Sequence, residues 1–337
     1  MLKKFFKKVV TPILRLPFLP ARFFYFGFNG RVAIEPTNAC NLKCRLCPTW
    51  QHMKRERGMM SLANFKKIID ENEDIFKRLN MIFAGEPLLN QDIWPMVKYA
   101  ENKGIEVLLS SNTTLFSDKN IEELFASGLS LLIVCLDGAT KEVHEQYRQG
   151  SDFDRVKDNI AKICRMKKEK GLKKPYIILQ FLVMKQNEHQ IDQIINLAKQ
   201  LGVDALSLKT ISLGSFVDLD EKIKLAKENL PQKTQYSRFE LKGDILQDKS
   251  KPKICSWMRQ SLILYNGDVS LCCYDDDGAL VVGNVFANGG FKKVLKSEKY
   301  RQYRKMAIQK KFKICQRCNH SAETARTIIF NPLLENK

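Results

Sequence analysis

The 337-residue sequence contains no run of roughly 20 consecutive apolar residues, so no segment reads as a membrane-spanning helix. It contains no internal repeat and no low-complexity tract, which sets aside solenoid and tail-like architectures. Acidic residues are missing from residues 1–31, which carry Lys3, Lys4, Lys7, Lys8, Arg15, Arg22 and Arg31. Residues 292–317 hold eleven Lys or Arg against the single acid Glu298. Such patches attract nucleic acid or an anionic membrane surface, although a solvated basic face needs no partner.

What is present points to a globular protein. Hydrophobic residues make up 44% and charged residues 28%, with a net charge of +19. The length suits one large domain or two ordinary ones. Ten cysteines raise the idea of a secreted disulfide scaffold, but such scaffolds are short, and core-forming patterning runs through this chain. A reducing cytosol fits better. Cys135 and Cys164 lie in apolar stretches and read as packed residues. His52, His144, His189 and His320 read as surface or supporting residues rather than ligands.

Leu2, Phe5, Phe6, Val9, Val10, Ile13 and Leu14 recur at helical spacing with lysines opposite. This pattern suits an interfacial anchor through residues 2–14, or a helix packed on the protein itself. A secretory signal fits less well, because Pro12, Arg15, Pro17 and Pro20 interrupt the apolar core.

From Arg31 onward, short apolar runs at 31–35, 79–84, 105–110, 131–136, 176–183 and 205–209 alternate with helix-like segments at 61–77, 91–103, 118–128, 140–169 and 187–201. That alternation predicts an α/β fold with a parallel sheet covered by helices. Six units are too few for a closed eight-stranded barrel, so a partial barrel or open sheet is expected. Ligands of such folds sit at the carboxyl ends of the strands. There the sequence places three cysteines, "GEP" (85–87), "SNT" (111–113) and "LDG" (136–138). Residues 211–250 lose the alternation and read as a linker or helical bridge. Beyond them, "SLILYNGDVSLCCYD" (261–275) predicts a hairpin turning at Asn266-Gly267. A basic helix-like segment, 291–309, then leads to Cys315 and Cys318.

Three thiols at Cys40, Cys44 and Cys47 are an odd number for disulfides and look like a ligand set. A closed zinc site wants four ligands. A 4Fe–4S cluster on three thiolates leaves one iron open to an outside ligand. The spacing resembles the signature of the radical S-adenosylmethionine (radical SAM) superfamily, and the likeness runs from about residue 31 to 320.

The resemblance implies that the open iron chelates S-adenosylmethionine, which is reductively cleaved to a 5′-deoxyadenosyl radical that abstracts hydrogen from substrate. "AGEP" (84–87) is similar to the family's Gly-Gly-Glu-Pro, which would set Glu86 on the methionyl ammonium. "SSNTT" (110–114) resembles a Thr-Asn-Gly segment, placing Asn112 near the ribose or carboxylate, with Thr113 where Gly is usual. "VCLDGATKEVHEQYR" (134–148) resembles Ser-Leu-Asp-Gly with its later Arg, so Arg148 would pair with the methionyl carboxylate. Taken singly, Glu86 could be a helix N-terminal residue, Arg148 a surface cation and Asp137 a turn residue.

Cys255, Gly267, Cys272, Cys315 and Cys318 resemble the SPASM/twitch extension behind many such cores. No cysteine follows Cys318, which implies one auxiliary 4Fe–4S cluster on four ligands, with Cys273 an alternative to Cys272; four thiolates would also suit zinc. The organisation expected is a basic segment (1–30), a partial (β/α)6 TIM-like barrel as radical SAM core (31–215), a linker (216–250) and a small C-terminal iron–sulfur extension (251–325). The function expected is a radical SAM oxidoreductase acting on a sugar, aminocyclitol or peptide. It would be cytoplasmic, peripheral on the inner membrane face if residues 2–14 anchor it, and served by a reductant such as flavodoxin or ferredoxin. Redox-neutral peptide or carbon-skeleton chemistry is the alternative. A metal-stabilised nucleic-acid-binding protein fits less well, since no RNA-binding module accompanies the basic patches.

Overall fold

A computed structural model describes residues 28–213, 218–249, 255, 257, 260–316, 318 and 326–330. The amphipathic stretch at 2–14 lies outside them. Among the described residues no helix is long and apolar enough to cross a membrane.

Six strands follow the apolar runs: β1 (Arg31–Ile34), β2 (Arg78–Met81), β3 (Glu106–Ser111), β4 (Leu131–Cys135), β5 (Tyr176–Val183) and β6 (Ala205–Thr210). They pair in parallel in sequence order. The helices of the crossovers are α1 (Pro48–Gln51), α2 (Leu62–Asp70), α3 (Ile93–Asn102), α4 (Asp118–Ala126), α5 (Lys141–Tyr147), α6 (Phe153–Glu169) and α7 (Ile191–Leu201). Their buried faces, such as Phe65, Ile68 and Ile69 of α2 or Val156, Ile160 and Ile163 of α6, join the strands in one large apolar core. Near-continuous apolar strands are what burial on both faces of a parallel sheet demands.

The sheet does not close on itself. β6 pairs instead with β12 (Arg326–Phe330), antiparallel, and β1 pairs in parallel with β9 (Gln260–Ile263). The hairpin expected at Asn266-Gly267 forms from β9 and β10 (Asp268–Ser270), with β11 (Val281–Asn284) beside it. The C-terminal extension is thus an outward continuation of the same ten-stranded sheet. Each edge of the six-stranded core is covered by a strand, which removes two exposed edges.

Two segments differ from expectation. Residues 216–250, expected as a linker or helical bridge, carry helix α8 (Leu219–Asn229) and, beyond that expectation, the hairpin of β7 (Phe239–Lys242) and β8 (Ile245–Asp248), whose Phe239 packs with Met184, Ile211, Leu213 and Ala226. The expected helix 140–169 is two helices. Gly150 takes φ +87°, and the Asp152 side chain accepts from Arg155 N–H to start α6 afresh. The remaining helices are α9 (Phe291–Lys296), α10 (Glu298–Ile308) and α11 (Lys313–Gln316).

Candidate active site

The loop after β1 carries Cys40, Cys44 and Cys47, and it is held from several sides. Glu35, fully buried, pairs with Arg55 through both oxygens at 3.0 and 2.7 Å and also accepts from Tyr265 N–H. Asn38 accepts from Gly58 N–H and donates to Glu56 O. The break between α5 and α6 has a use here, because Lys43 and Arg45 N–H donate to the carbonyls of Gln149 and Tyr147. Cys47 is the N-cap of α1, with Pro48 at its first turn.

The turn after β2 lies directly against this loop. Gly85 takes φ +76°, and a Cβ there would sit 2.5 Å from the carbonyl oxygens of Ala39 and Thr37. Only glycine fits. Glu86 N–H donates to Ala39 O at 2.8 Å. The buried Glu86 carboxylate accepts from Ser111 Oγ (2.8 Å), Asn112 N–H (2.7 Å) and Leu88 N–H (3.2 Å), capping the short turn Pro87–Leu89. Burial pushes its carboxyl up, against the pull of these donors and of Arg148. Three of about four lone-pair directions are therefore taken by the protein. Glu86 ties β2 to β3, and one direction is left for a ligand.

Asn112 donates to Asn41 Oδ1 at 2.9 Å, joining β3 to the cysteine loop. Thr113 adopts φ +69°, the left-handed region that a β-branched residue avoids. The conformation is kept by Ser111 Oγ, which accepts from Thr113 N–H, and by Asn159, which donates to Thr113 O. A glycine-like backbone survives without the glycine.

Asp137, fully buried after β4, accepts from Arg148 Nε at 2.6 Å and from Leu182 N–H at 2.6 Å. Its own N–H donates to Nδ1 of buried His144, and His144 Nε2 lies 2.9 Å from Ser151 Oγ. Burial lowers the His144 pKa to about 4, so the ring is neutral. The Nδ1 contact makes Nε2 the protonated nitrogen and Ser151 its acceptor. Burial opposes the charge on Arg148, but Asp137, Cys135 and Cys44 hold it above its ordinary value. Among the described residues its two terminal nitrogens have no acceptor, so half of a buried fork is left for an anion.

The thiols of the loop feel one another. Burial pushes Cys44 up to about 12, with Cys47 and Cys40 adding to the rise and Arg148 opposing it. Cys40 is raised by burial too, and Glu86 and Cys47 contribute. Crowded, buried thiols of this kind are poor free thiolates, and coordination to iron is what would deprotonate them. The three residues fit a 4Fe–4S cluster, and the charges of Arg148 and Glu86 lie close enough to be felt by Cys40.

The second set gathers as well. Cys315 is pushed up to about 12 by burial, then by Cys272, Cys318 and Cys255. Cys273 is raised by burial and by Cys272, Cys255 and Cys318, so five thiols meet here rather than four. Cys272 Sγ accepts Tyr274 N–H at 3.4 Å, and it is Cys272 that Cys315 feels first among the thiols. Cys272 and Cys273 are equally half-buried, and either can face the other three thiols. Among the described residues no group of three or more His, Cys, Asp or Glu is assembled to hold a single metal ion.

Between the two sets lies a cavity of about 140 Å³. Arg45, Leu46 and Pro48 of the first loop form one wall, and Tyr274 and Asp276, just past Cys272-Cys273, form another. Ser212, Leu213 and α8 close the side. Asp275 is occupied by Ser270 Oγ and the N–H groups of Ala279 and Leu280. The Asp276 carboxyl has no hydrogen-bond partner among the described residues, and burial next to Asp275 and Asp277 raises its pKa to about 7. Deeper in the barrel, Cys135 meets Ser110 (3.9 Å) and Gln180 (3.7 Å), a polar setting that its apolar sequence neighbours concealed.

Residues 34–198 match the model of the radical SAM superfamily, and residues 255–319 match that of the SPASM iron–sulfur cluster-binding domain. The chain belongs to the radical SAM superfamily. It is 28% identical to a tungsten-containing aldehyde ferredoxin oxidoreductase cofactor-modifying protein of Pyrococcus furiosus, over 71% of this chain and 69% of that one. It is 28% identical to mycofactocin maturase MftC of Mycolicibacterium smegmatis, over 92% and 80%. An AdoMet-dependent heme synthase of Methanosarcina barkeri is 32% identical, over 52% of this chain and about half (48%) of its own length. In fold it is similar to Streptococcus suis SuiB bound to precursor peptide SuiA, with a TM-score of 0.60 at 17% identity over 82% of this chain and 67% of the other. As a radical SAM protein with a SPASM domain, it has a 4Fe–4S cluster, S-adenosylmethionine and auxiliary iron–sulfur as its cofactors. His144, read as a surface or supporting residue, is a buried support of Asp137.

Proposed function

We propose that this radical SAM protein oxidises its substrate, abstracting one hydrogen atom and passing the remaining electron to an auxiliary cluster on Cys255, Cys272, Cys315 and Cys318. The cavity carries this reading, because its walls include Arg45, Leu46 and Pro48, chain neighbours of Cys44 and Cys47, and Tyr274, the chain neighbour of Cys273, so a substrate held there would lie next to both cysteine loops. Bound at Cys40, Cys44 and Cys47, the first cluster and S-adenosylmethionine supply the hydrogen-abstracting radical. Arg148 offers its free fork to the methionyl carboxylate, Asn112 fixes the loop beside it, and Glu86 keeps one lone-pair direction for the ammonium.

Asp276 is the base in this reading. With a pKa of about 7 and no internal partner, it can take the proton that leaves when a carbon bearing a hydroxyl or amine is oxidised. A peptide side chain or a sugar or aminocyclitol supplies such a carbon. Anaerobic reconstitution with iron, sulfide, S-adenosylmethionine and a reductant tests the core of the proposal. 5′-Deoxyadenosine and methionine should form; a fully loaded protein yielding neither would end it.

The same proposal places the chain in the cytoplasm with its stretch 2–14 against an anionic membrane face, supported by the apolar stripe and flanking lysines. Deleting residues 1–20 should release the protein from anionic vesicles, and equal sedimentation of both forms would remove the anchor.

A further inference from the structure

Two guanidinium groups of the first site each hold a buried carboxylate, Arg55 on Glu35 and Arg148 on Asp137. Arg238, at the entry to β7, is more deeply buried than either. It is 3% exposed, and among the described residues its guanidinium forms no ion pair. Its bonds there go to neutral groups. Nε donates to Thr210 Oγ1, one terminal nitrogen to Thr210 O at 3.2 Å, and the other to Tyr274 OH at 3.3 Å. Taking a charge out of water without a counter-ion is expensive, and neutral acceptors offset only part of that penalty. Arginine cannot escape it by losing its proton. A cation placed this way calls for an anion that the folded protein binds.

The hydrogen bonds lead to the second cysteine set. Tyr274 OH accepts from Arg238, which can only donate, and Tyr274 N–H donates to Cys272 Sγ at 3.4 Å. One tyrosine therefore spans from the guanidinium to a cysteine of that set. Thr210 ends β6 and Tyr274 follows the Cys272-Cys273 pair, so Arg238 also pins the core sheet to the cysteine loop of the extension. The cavity is the rival destination for the charge. Its wall there is made by Tyr274 and Ser212, whose hydroxyl oxygens lie 3.3 Å apart, and Arg238 is not among the residues that line it. An anion in the cavity would meet two hydroxyls before it met the guanidinium.

We infer that Arg238 is the built-in counter-charge of the auxiliary cluster on Cys255, Cys272, Cys315 and Cys318, and that its charge raises the reduction potential of that cluster. This role rests on the ligand set proposed above. A 4Fe–4S core on four thiolates is already anionic, and its reduction adds one electron and no proton. The reduced state therefore gains more from a fixed cation than the oxidised state does. Burial strengthens the effect, because little water or salt screens a charge held inside the protein. Arg238 touches no reacting atom in this account. It sets how readily the cluster accepts the electron that the substrate radical gives up, while the proton goes to Asp276.

The test is an anaerobic redox titration of the full-length reconstituted holoprotein, followed by electron paramagnetic resonance with dithionite as reductant. The same titration with Cys40, Cys44 and Cys47 replaced by Ala identifies the signal of the second cluster. Arg238→Gln should shift that cluster toward its oxidised form at least tenfold at a fixed potential, a fall in midpoint of about 59 mV for one electron. Arg238→Lys keeps the charge and loses the fork, so its ratio of oxidised to reduced cluster should stay within about twofold of the parent. Thr210→Val removes a bond to the guanidinium but not its charge; the melting temperature should fall while the midpoint holds. Should Arg238→Gln fail to fold, Arg238→Met fills the space without a charge and is titrated in its place. A folded charge-free variant with the parent's midpoint would overturn the inference. So would Thr210→Val with a midpoint as low as that of Arg238→Gln, because packing rather than charge would then set the potential. If the protein lacking Cys40, Cys44 and Cys47 holds no cluster, the proposed ligand set is wrong and the counter-charge role goes with it. A cluster that is present but indifferent to Arg238 sinks the counter-charge role alone.

Discussion

Arg148 donates through Nε to Asp137 at 2.6 Å, and among the described residues its two terminal nitrogens meet no acceptor. The acid is wholly buried and the guanidinium nearly so, a placement that stability alone does not favour. Half of the fork is spent on positioning, and in the function proposed above the other half meets the methionyl carboxylate.

Arg148→Ala should therefore do two separable things. Removing the partner of a buried carboxylate costs roughly 3–5 kcal/mol. Arg148→Lys should retain part of that stability but lose the forked geometry, weakening S-adenosylmethionine binding about tenfold or more. Urea unfolding and calorimetry read the two effects independently. A lysine variant that binds the cofactor as tightly as the parent would return Arg148 to a structural ion pair.

His144 gives a pH dependence with a definite sign. Its folded pKa of about 4 lies below the unfolded value of 6.5, so between these values the unfolded chain binds the extra proton. Stability is full above pH 6.5 and falls as pH drops through the window, by at most ~3 kcal/mol. His144→Asn retains an acceptor for Asp137 N–H and should remove this component. Urea midpoints from pH 7 to 4 that fall in parallel for both proteins would refute it.

Legibility in the sequence followed distance along the chain. Cysteine spacing, strand runs and the Asn266-Gly267 turn are local patterns, and the structure places them where they were expected. The parallel pairing of Arg31 with Gln260 and the Glu35–Arg55–Tyr265 junction depend on contacts across more than two hundred residues, which no window reveals. The break at Arg148–Asp152 was hidden because apolar spacing continues through it, even though Gly150 and Asp152 carry the stop and start signals. Glu86 stood out in the sequence only through its motif, and its three internal donors emerge only once β2 and β3 are side by side. Asp276 and Asp275 are neighbours with opposite fates, and only their surroundings separate them.

Thr113→Gly should relieve the left-handed strain and stabilise the fold by about 1 kcal/mol, partly offset by the greater freedom of glycine in the unfolded chain. The backbone path to Asn112 and Thr114 would be unchanged, so cofactor affinity should hold. Thermal melts and calorimetry decide it. A destabilised variant would mean that the Thr113 hydroxyl contact to Ser111 O outweighs the strain.

The two cysteine sets make reciprocal predictions. Replacing Cys40, Cys44 and Cys47 with Ala should abolish S-adenosylmethionine cleavage and leave about half the iron, because a separate four-iron cluster remains. Replacing Cys315 and Cys318 should also halve the iron, yet leave 5′-deoxyadenosine formation intact, since the first cluster alone drives cleavage. With substrate present, the oxidised product should disappear, since the function proposed above has four protein ligands closing the second cluster and restricting it to outer-sphere electron transfer. Loss of that cluster also threatens the fold, as β9 to β11 and the thiols share one sheet extension and metal binding is coupled to folding. Circular dichroism and melting must therefore show a folded double variant before its chemistry counts. Tight packing of β9 on β1, through Arg31 to Ile34, argues that it will fold. If the folded variant delivers oxidised product at the parent's ratio to 5′-deoxyadenosine, the electron of the substrate radical leaves by another route.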